Sequence, residues 1–288
     1  MRLALYQCPP GPDDLAGNLR RLREAAQRAA AQSADLLVCP EMYASGYNIG
    51  AERVAALAEA ADGAIAETVA GIAREFDVGI LYGYPESNPA GAPFNSVQLI
   101  DRHGERRANY RKTHLYGDLD RDQFSPSDEP PAIVELDGWK IGLLICFDVE
   151  FPEAVRTLAL AGADLVLVPT ANMHPYEFVC QVLVPTRAYE NQVFLAYANF
   201  QGSEGELEYC GLSCVVAPDG QVMARAKQAG ELLIADLEPE RIAMVREGYS
   251  YLRLRRPMLY RSLWRGCKVR PSPVGATVLR RGALRRMG

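Results

Sequence analysis

The residues of this chain best suited to chemistry are Cys146, Glu41 and Lys112, each set where an apolar run gives way to a polar segment. Cys146 ends the run Ile141-Gly142-Leu143-Leu144-Ile145 and is followed by Phe147-Asp148-Val149-Glu150-Phe151-Pro152, where the proline can start a helix. Glu41 follows Asp35-Leu36-Leu37-Val38-Cys39-Pro40, and Lys112 sits in Asn109-Tyr110-Arg111-Lys112-Thr113-His114-Leu115. A thiol becomes a strong nucleophile when a base removes its proton. A carboxylate whose pKa is raised by burial can take that proton and later return it to a leaving amine. A lysine cation and the backbone N–H of Phe147 would stabilise a tetrahedral oxyanion, and a helix N-terminus at Pro152 would favour the thiolate. These parts together make acyl transfer through a thioester.

Each residue also has a purely structural reading: a buried packing thiol, a loop cap after a proline, a surface charge beside Arg111. On residues alone a Cys-His scheme with His114 or His174 as base stays open, although no papain-like signature surrounds Cys146.

The elements that must position these residues alternate between strand and helix. A strand over 2–8 leads to an Ala/Arg/Leu-rich helix over 14–32 and a strand over 35–39; helical segments flank Asp62-Gly63; strands over 78–84 and 95–100 follow, with a turn at His103-Gly104. The second half repeats the order. Segment 34–41 is echoed by 163–170, 2–8 by 140–146, 78–85 by 193–200, and 95–104 by 212–220. Each half is then a β-α-β-α-β-β unit whose sheet has helices on one face only. Packing the two bare faces together predicts a four-layer αββα sandwich of the α/β class. Sites assemble at the carboxyl ends of such strands, so Glu41 and Cys146 could meet at a cleft shared by the halves.

Composition narrows the function classes. With 49% hydrophobic and 23% charged residues the chain is ordinary for a globular protein, and no apolar stretch approaches a membrane span of ~18 residues. The segment Met1-Arg2-Leu3-Ala4-Leu5-Tyr6-Gln7 is short for a signal peptide and fits a first strand, so a cytoplasmic protein is expected. Seven cysteines (8, 39, 146, 180, 210, 214, 267) include no Cys-x-x-Cys pair, and with three histidines no structural zinc site is expected. From Trp264 onward lie seven of the 31 basic residues and none of the 36 acids, which leaves the body with 24 basic against 36 acidic, a charge of −12. That acidity argues against nucleic acid as a partner. The expected division is a body over 1–263 and a basic, disordered tail over 264–288.

The segments Pro40-Glu41 with Ser45-Gly46-Tyr47, Tyr110-Arg111-Lys112-Thr113-His114-Leu115, and Gly142-Leu143-Leu144-Ile145-Cys146-Phe147-Asp148-Val149-Glu150-Phe151-Pro152-Glu153 resemble the three signature segments of the nitrilase superfamily of carbon-nitrogen hydrolases. Pro169-Thr170-Ala171-Asn172, Arg187-Ala188-Tyr189-Glu190-Asn191-Gln192 and Ala217-Pro218-Asp219-Gly220 extend the likeness over about residues 1–263. The resemblance implies the αββα fold, no metal or cofactor, and a homodimer or larger homo-oligomer. It makes Glu41 the general acid/base, Lys112 the oxyanion stabiliser and Cys146 the nucleophile, with Phe147 and Asn172 in the substrate site. Many members place a second glutamate after the lysine; here Asp118 is the expected counterpart and Asp120 a competing one.

Further segments, among them Tyr47-Asn48-Ile49-Gly50, Tyr82-Gly83-Tyr84-Pro85-Glu86 and Asn172-Met173-His174-Pro175-Tyr176, are similar to the amidase branch that hydrolyses 5-aminopentanamide in bacterial lysine breakdown. This implies a small-molecule amide substrate with an ω-amino group, and Glu177, Glu206 and Glu208 lie in segments that could meet its charge. An N-carbamoyl-amine amidohydrolase or a nitrilase could use the same triad. A non-catalytic binding protein on this fold is the reading from another class.

Overall fold

The computed structural model describes residues 1–264. Met1–Leu252 forms one compact unit; the second, Arg253–Gly288, is described as far as the 3-10 turns of Pro257–Trp264. The rest of the expected basic tail, with Cys267, lies outside the described residues.

The first unit begins with β1 (Arg2–Gln7), α1 (Leu15–Ala31), β2 (Leu36–Val38), α2 (Ala51–Leu57), α3 (Ala64–Phe76), β3 (Gly79–Glu86), β4 (Phe94–Ile100), β5 (Arg106–Arg111) and α4 (Gly117–Arg121). It continues with β6 (Ile133–Leu136), β7 (Trp139–Leu143), α5 (Pro152–Leu160), β8 (Leu165–Thr170), α6 (Val184–Asn191) and β9 (Phe194–Asn199). Then come the hairpin β10 (Gln201–Glu204) with β11 (Leu207–Cys210), β12 (Cys214–Val216), β13 (Val222–Arg225), β14 (Glu231–Asp236) and α7 (Pro239–Gly248).

Two six-stranded sheets result, ordered β14-β1-β2-β3-β4-β5 and β13-β12-β9-β8-β7-β6. In each, three central strands run parallel and the flanking strands are antiparallel. Alternation sorts the side chains. Leu3, Leu5, Leu36, Val38, Leu81, Val97 and Leu99 join one core with Ile141, Leu143, Leu165 and Leu167 of the second sheet. The intervening Ala4, Leu37, Ile80 and Tyr82 pack instead on α1 and α3. A period of two that buries both faces places the first sheet between helices and the second sheet. On the far side Gly142 admits α5, because a Cβ there would sit 2.6 Å from Leu158 Cδ1. The architecture is the expected αββα sandwich.

Local signals explain the helices. Asp14 caps α1, its Oδ1 accepting from Gly17 N at 2.9 Å, and Leu22, Ala25, Ala26 and Ala29 make its buried stripe. The repeated unit is longer than its sequence echo: β5 and β13 extend the two sheets at one edge, β14 and β6 at the other. The edge strand beside β1 comes from the far end of the unit, with Arg2 opposite Asp236.

Candidate active site

Glu41 leaves the end of β2 on a backbone that crosses directly over Gly83 of β3, where a Cβ would lie 2.2 Å from Met42 N and 2.9 Å from Glu41 C. Gly83 shares the parity of Leu81, which faces the second sheet, so the crossing brings Glu41 to the seam between sheets. There Glu41 N donates to Thr170 O at 3.4 Å, at the end of β8. Its side chain is fully buried. Oε1 accepts from Lys112 Nζ and Asn95 Nδ2, both at 2.7 Å, and Oε2 accepts from Ala171 N at 2.9 Å. A carboxylate has about four lone-pair positions, so one on Oε2 remains.

Lys112 follows β5, its backbone N donating to Asn95 O at 2.8 Å. Its fully buried ammonium is shared between Glu41 and Asp120 Oδ2, the latter at 2.7 Å. Two of its three N–H groups are thereby used and one is left. Asp120 in turn accepts from the Tyr47 hydroxyl at 2.7 Å and Tyr116 N at 2.7 Å.

Cys146 opens a 3-10 turn, Cys146–Glu150, with its backbone at φ +45°. Left-handed φ at a non-glycine residue is strained and persists only where surroundings impose it. Asp148 supplies that imposition. Fully buried, it accepts from Ile145 N (3.1 Å), Tyr110 OH (3.0 Å), Thr113 Oγ1 (2.9 Å) and His114 N (2.9 Å), which ties the turn to the segment carrying Lys112. The half-buried Cys146 sulfur is flanked by the Thr170 hydroxyl and the Ala171 N–H, the same N–H that serves Glu41.

Electrostatics set the resting protonation. Burial pushes the Cys146 thiol up, the Glu41 charge adds to this, and Lys112 offsets only part. The balance favours the neutral thiol, which then needs a base to remove its proton. Burial also raises Glu41, with Lys112 pulling down and Asp120 pushing up. For Lys112 burial works against the charge, but Asp120 and Glu41 outweigh it and hold the ammonium firmly protonated. A neutral thiol beside a carboxyl of raised pKa suits proton transfer in both directions.

The other expected site residues divide. Phe147 is half-buried beside Cys146, its ring edge-on to Tyr116 with centroids 5.5 Å apart. Asp118 is displaced from its expected place: its side chain is 94% exposed and, among the described residues, pairs with Arg121 at 3.5 Å. Within α4 two residues are separated by about 200° around the axis, so when Asp120 points inward Asp118 points to solvent. Asn172 is buried, but its amide is committed to Tyr176 O at 3.0 Å and to the Cys180 and Cys210 sulfurs, so it holds the 172–180 loop rather than presenting a free donor. Glu206 and Glu208 are exposed, and Glu177 lies 2.6 Å from His174 Nδ1. His114 stacks on Phe151 with Nδ1 2.8 Å from Asp148, so neither histidine is bonded to Cys146.

Asn95, Asp148, Gly83 and Ala171 were not singled out as site residues by the sequence. Asn95 and Asp148 are polar residues inside apolar surroundings, the one signal that could have found them. Among the described residues no group of His, Cys, Asp and Glu could hold a metal ion, and no helix is long and apolar enough to cross a membrane.

With this geometry in view, the chain can be set beside known proteins. The sequence profile of the carbon-nitrogen hydrolases matches residues 2–247. A hydrolase from the pqqF 5′ region of Pseudomonas protegens is 55% identical over 91% of this chain and 92% of its own length. An (R)-stereoselective amidase from a Pseudomonas species is 36% identical, covering 90% of this chain and 93% of its own. Among solved structures, an amidase from Nesterenkonia sp. AN1 superposes with a TM-score of 0.80 at 37% identity, over 91% of this chain and 99% of that one.

Proposed function

The chain belongs to the carbon-nitrogen hydrolase family, within the nitrilase superfamily, and is an amidase; from that premise we propose that it cleaves short aliphatic carboxamides, with an ω-amino amide such as 5-aminopentanamide as the substrate class, using Cys146, Glu41 and Lys112. The observation that carries the catalytic part is the buried ammonium of Lys112 bonded to Glu41, with one N–H left, beside the half-buried Cys146.

In the first step the Cys146 proton passes to the free lone pair of Glu41 as sulfur bonds to the amide carbon. The oxyanion is met by the remaining Lys112 N–H and the Phe147 backbone N–H. The C–N bond then breaks, Glu41 returns the proton to the nitrogen, and ammonia leaves an acyl thioester on Cys146. Water, deprotonated by Glu41, adds to the thioester; the C–S bond breaks, the acid departs and the thiol is restored.

Relatives support an amide rather than another acyl donor. A mutant of the Nesterenkonia amidase in which glutamine replaces a glutamate carries the product of Michael addition of acrylamide at its active site cysteine, and a mutant in which alanine replaces a cysteine holds butyramide. The deciding experiment is ammonia release from ω-amino amides, plain aliphatic amides, carbamoyl amines and nitriles. Fastest turnover of an ω-amino amide is expected; fastest turnover of a carbamoyl amine or a nitrile would overturn the assignment.

A further inference from the structure

One carboxylate near the cleft is left without a partner. Glu150 closes the 3-10 turn that Cys146 opens and is half-buried. Among the described residues its carboxylate accepts no hydrogen bond and joins no ion pair. The buried carboxylates of the site, by contrast, are bonded: Glu41 and Asp120 to Lys112, Asp148 to Tyr110, Thr113 and the backbone. Arg187 sits beside Glu150 but is committed elsewhere. Its Nε donates to Val149 O at 3.1 Å, one Nη to the backbone carbonyl of Glu150 at 2.7 Å, and the other to Glu190 at 3.0 Å. Burial raises the Glu150 carboxyl, and Arg187 and Lys112 do not fully offset it. A carboxylate in that condition gains from any cation that reaches it.

Aromatic rings share the opening. Tyr116 stands edge-on to Phe147 at 5.5 Å and to Tyr176 at 5.9 Å, and Tyr176 is 38% exposed. Burial raises the Tyr116 phenol first, then its bond to Tyr176, then the charges of Cys146 and Glu150. A single ring is thus within electrostatic reach of both the thiol and the free carboxylate.

We propose that Glu150, together with the rings of Tyr116 and Tyr176, is the specificity determinant that receives the ammonium group of an amino-amide substrate. A primary ammonium offers three N–H donors to a carboxylate and a positive charge to ring faces, the two chemistries brought together here. This inference rests on the amidase reading above and supplies its substrate class with a recognition residue.

The test uses the full-length protein with n-butylammonium and 1-butanol as matched probes. In wild type, n-butylammonium should bind by calorimetry and inhibit butyramide hydrolysis competitively. In Glu150→Gln its Kd and Ki should rise about tenfold to hundredfold, the worth of a charge-assisted hydrogen bond, while 1-butanol changes less than about twofold. The ratio of kcat/KM for 5-aminopentanamide over the isosteric hexanamide should fall by a similar factor, through KM, with partial recovery in Glu150→Asp. An unchanged n-butylammonium affinity, or equal losses on both amides, would overturn the proposal. Wild type that binds n-butylammonium through Glu150 yet prefers hexanamide would sink the ω-amino substrate and leave the cation site standing; the calorimetric comparison decides the site even if no amide is turned over.

Discussion

Gly83 and Met42 are in contact through backbone alone, with Met42 N 2.2 Å from the place a side chain on residue 83 would begin. The strand that lies under Glu41 is therefore also the gauge of how deeply Glu41 enters the seam between sheets. Gly83→Ala should destabilise the protein by about 1–3 kcal/mol through overpacking and lower kcat/KM more than a surface Gly→Ala change does. Thermal melts and kinetics of the pair, with Gly71→Ala as the open-space control, check it.

Substitution of the proposed nucleophile should separate chemistry from folding. Cys146→Ala should lose at least about 10⁴-fold in kcat with an unchanged melt, because the residue is half-buried and the turn is held by Asp148. A small electrophile should modify Cys146 ahead of Cys8, Cys39, Cys180, Cys210 and Cys214, all buried. Mass spectrometry that finds another of these labelled first would remove Cys146 from the role.

The two aspartates of α4 should behave in opposite ways. Asp120→Asn removes a charge from the fully buried Lys112 and should lower kcat/KM by about 100-fold, the cost of a small misplacement at a reacting centre. Asp118→Asn should stay within about twofold. Equal effects would mean that the Lys112 to Asp120 pair has no bearing on the reaction.

The pH dependence follows from the raised Glu41. Acylation needs the ionised carboxylate to accept the thiol proton, so kcat/KM rises with pH through the Glu41 pKa. Burial moves that limb up from the usual glutamate position. Glu41→Gln should cost about 10²–10⁴-fold and erase this limb. A limb that persists in Glu41→Gln would assign it to another group.

Asp148 should prove a stability residue. Replacing it with Ala strands the Ile145 and His114 N–H groups and the Tyr110 hydroxyl in the interior, at a cost of about 3–5 kcal/mol. Denaturant titration measures it; a loss below 1 kcal/mol would show that the strained Cys146 backbone is held by something else.

The layered fold was legible because strand alternation is strict: Leu36, Leu37 and Val38 must bury both faces, and only a helix layer plus a second sheet can do that. The paired strands at the outer edges were harder to see. Ile133–Leu136 and Val222–Arg225 are short and half-exposed, so neither carries the apolar alternation that marks a strand, although each pairs with a strand close by in the chain. In the site, the apolar runs locate Glu41 and Cys146, whereas Asp118 against Asp120 is decided by the rotation of a five-residue helix that spacing from Lys112 does not reveal. Asn172 misled for a related reason: its position at a strand end is visible, but the Cys180 and Cys210 sulfurs that engage its amide arrive from other segments.

The pairing of Arg2 with Asp236 has a consequence for synthesis. A chain growing from its N-terminus presents β1 with one bare hydrogen-bonding edge until residues 231–236 have emerged, nearly the whole unit later. Strand edges in that condition are templates for intermolecular pairing, so emergence of residues 231–236, rather than completion of the first half, is the event that covers this edge of the first sheet.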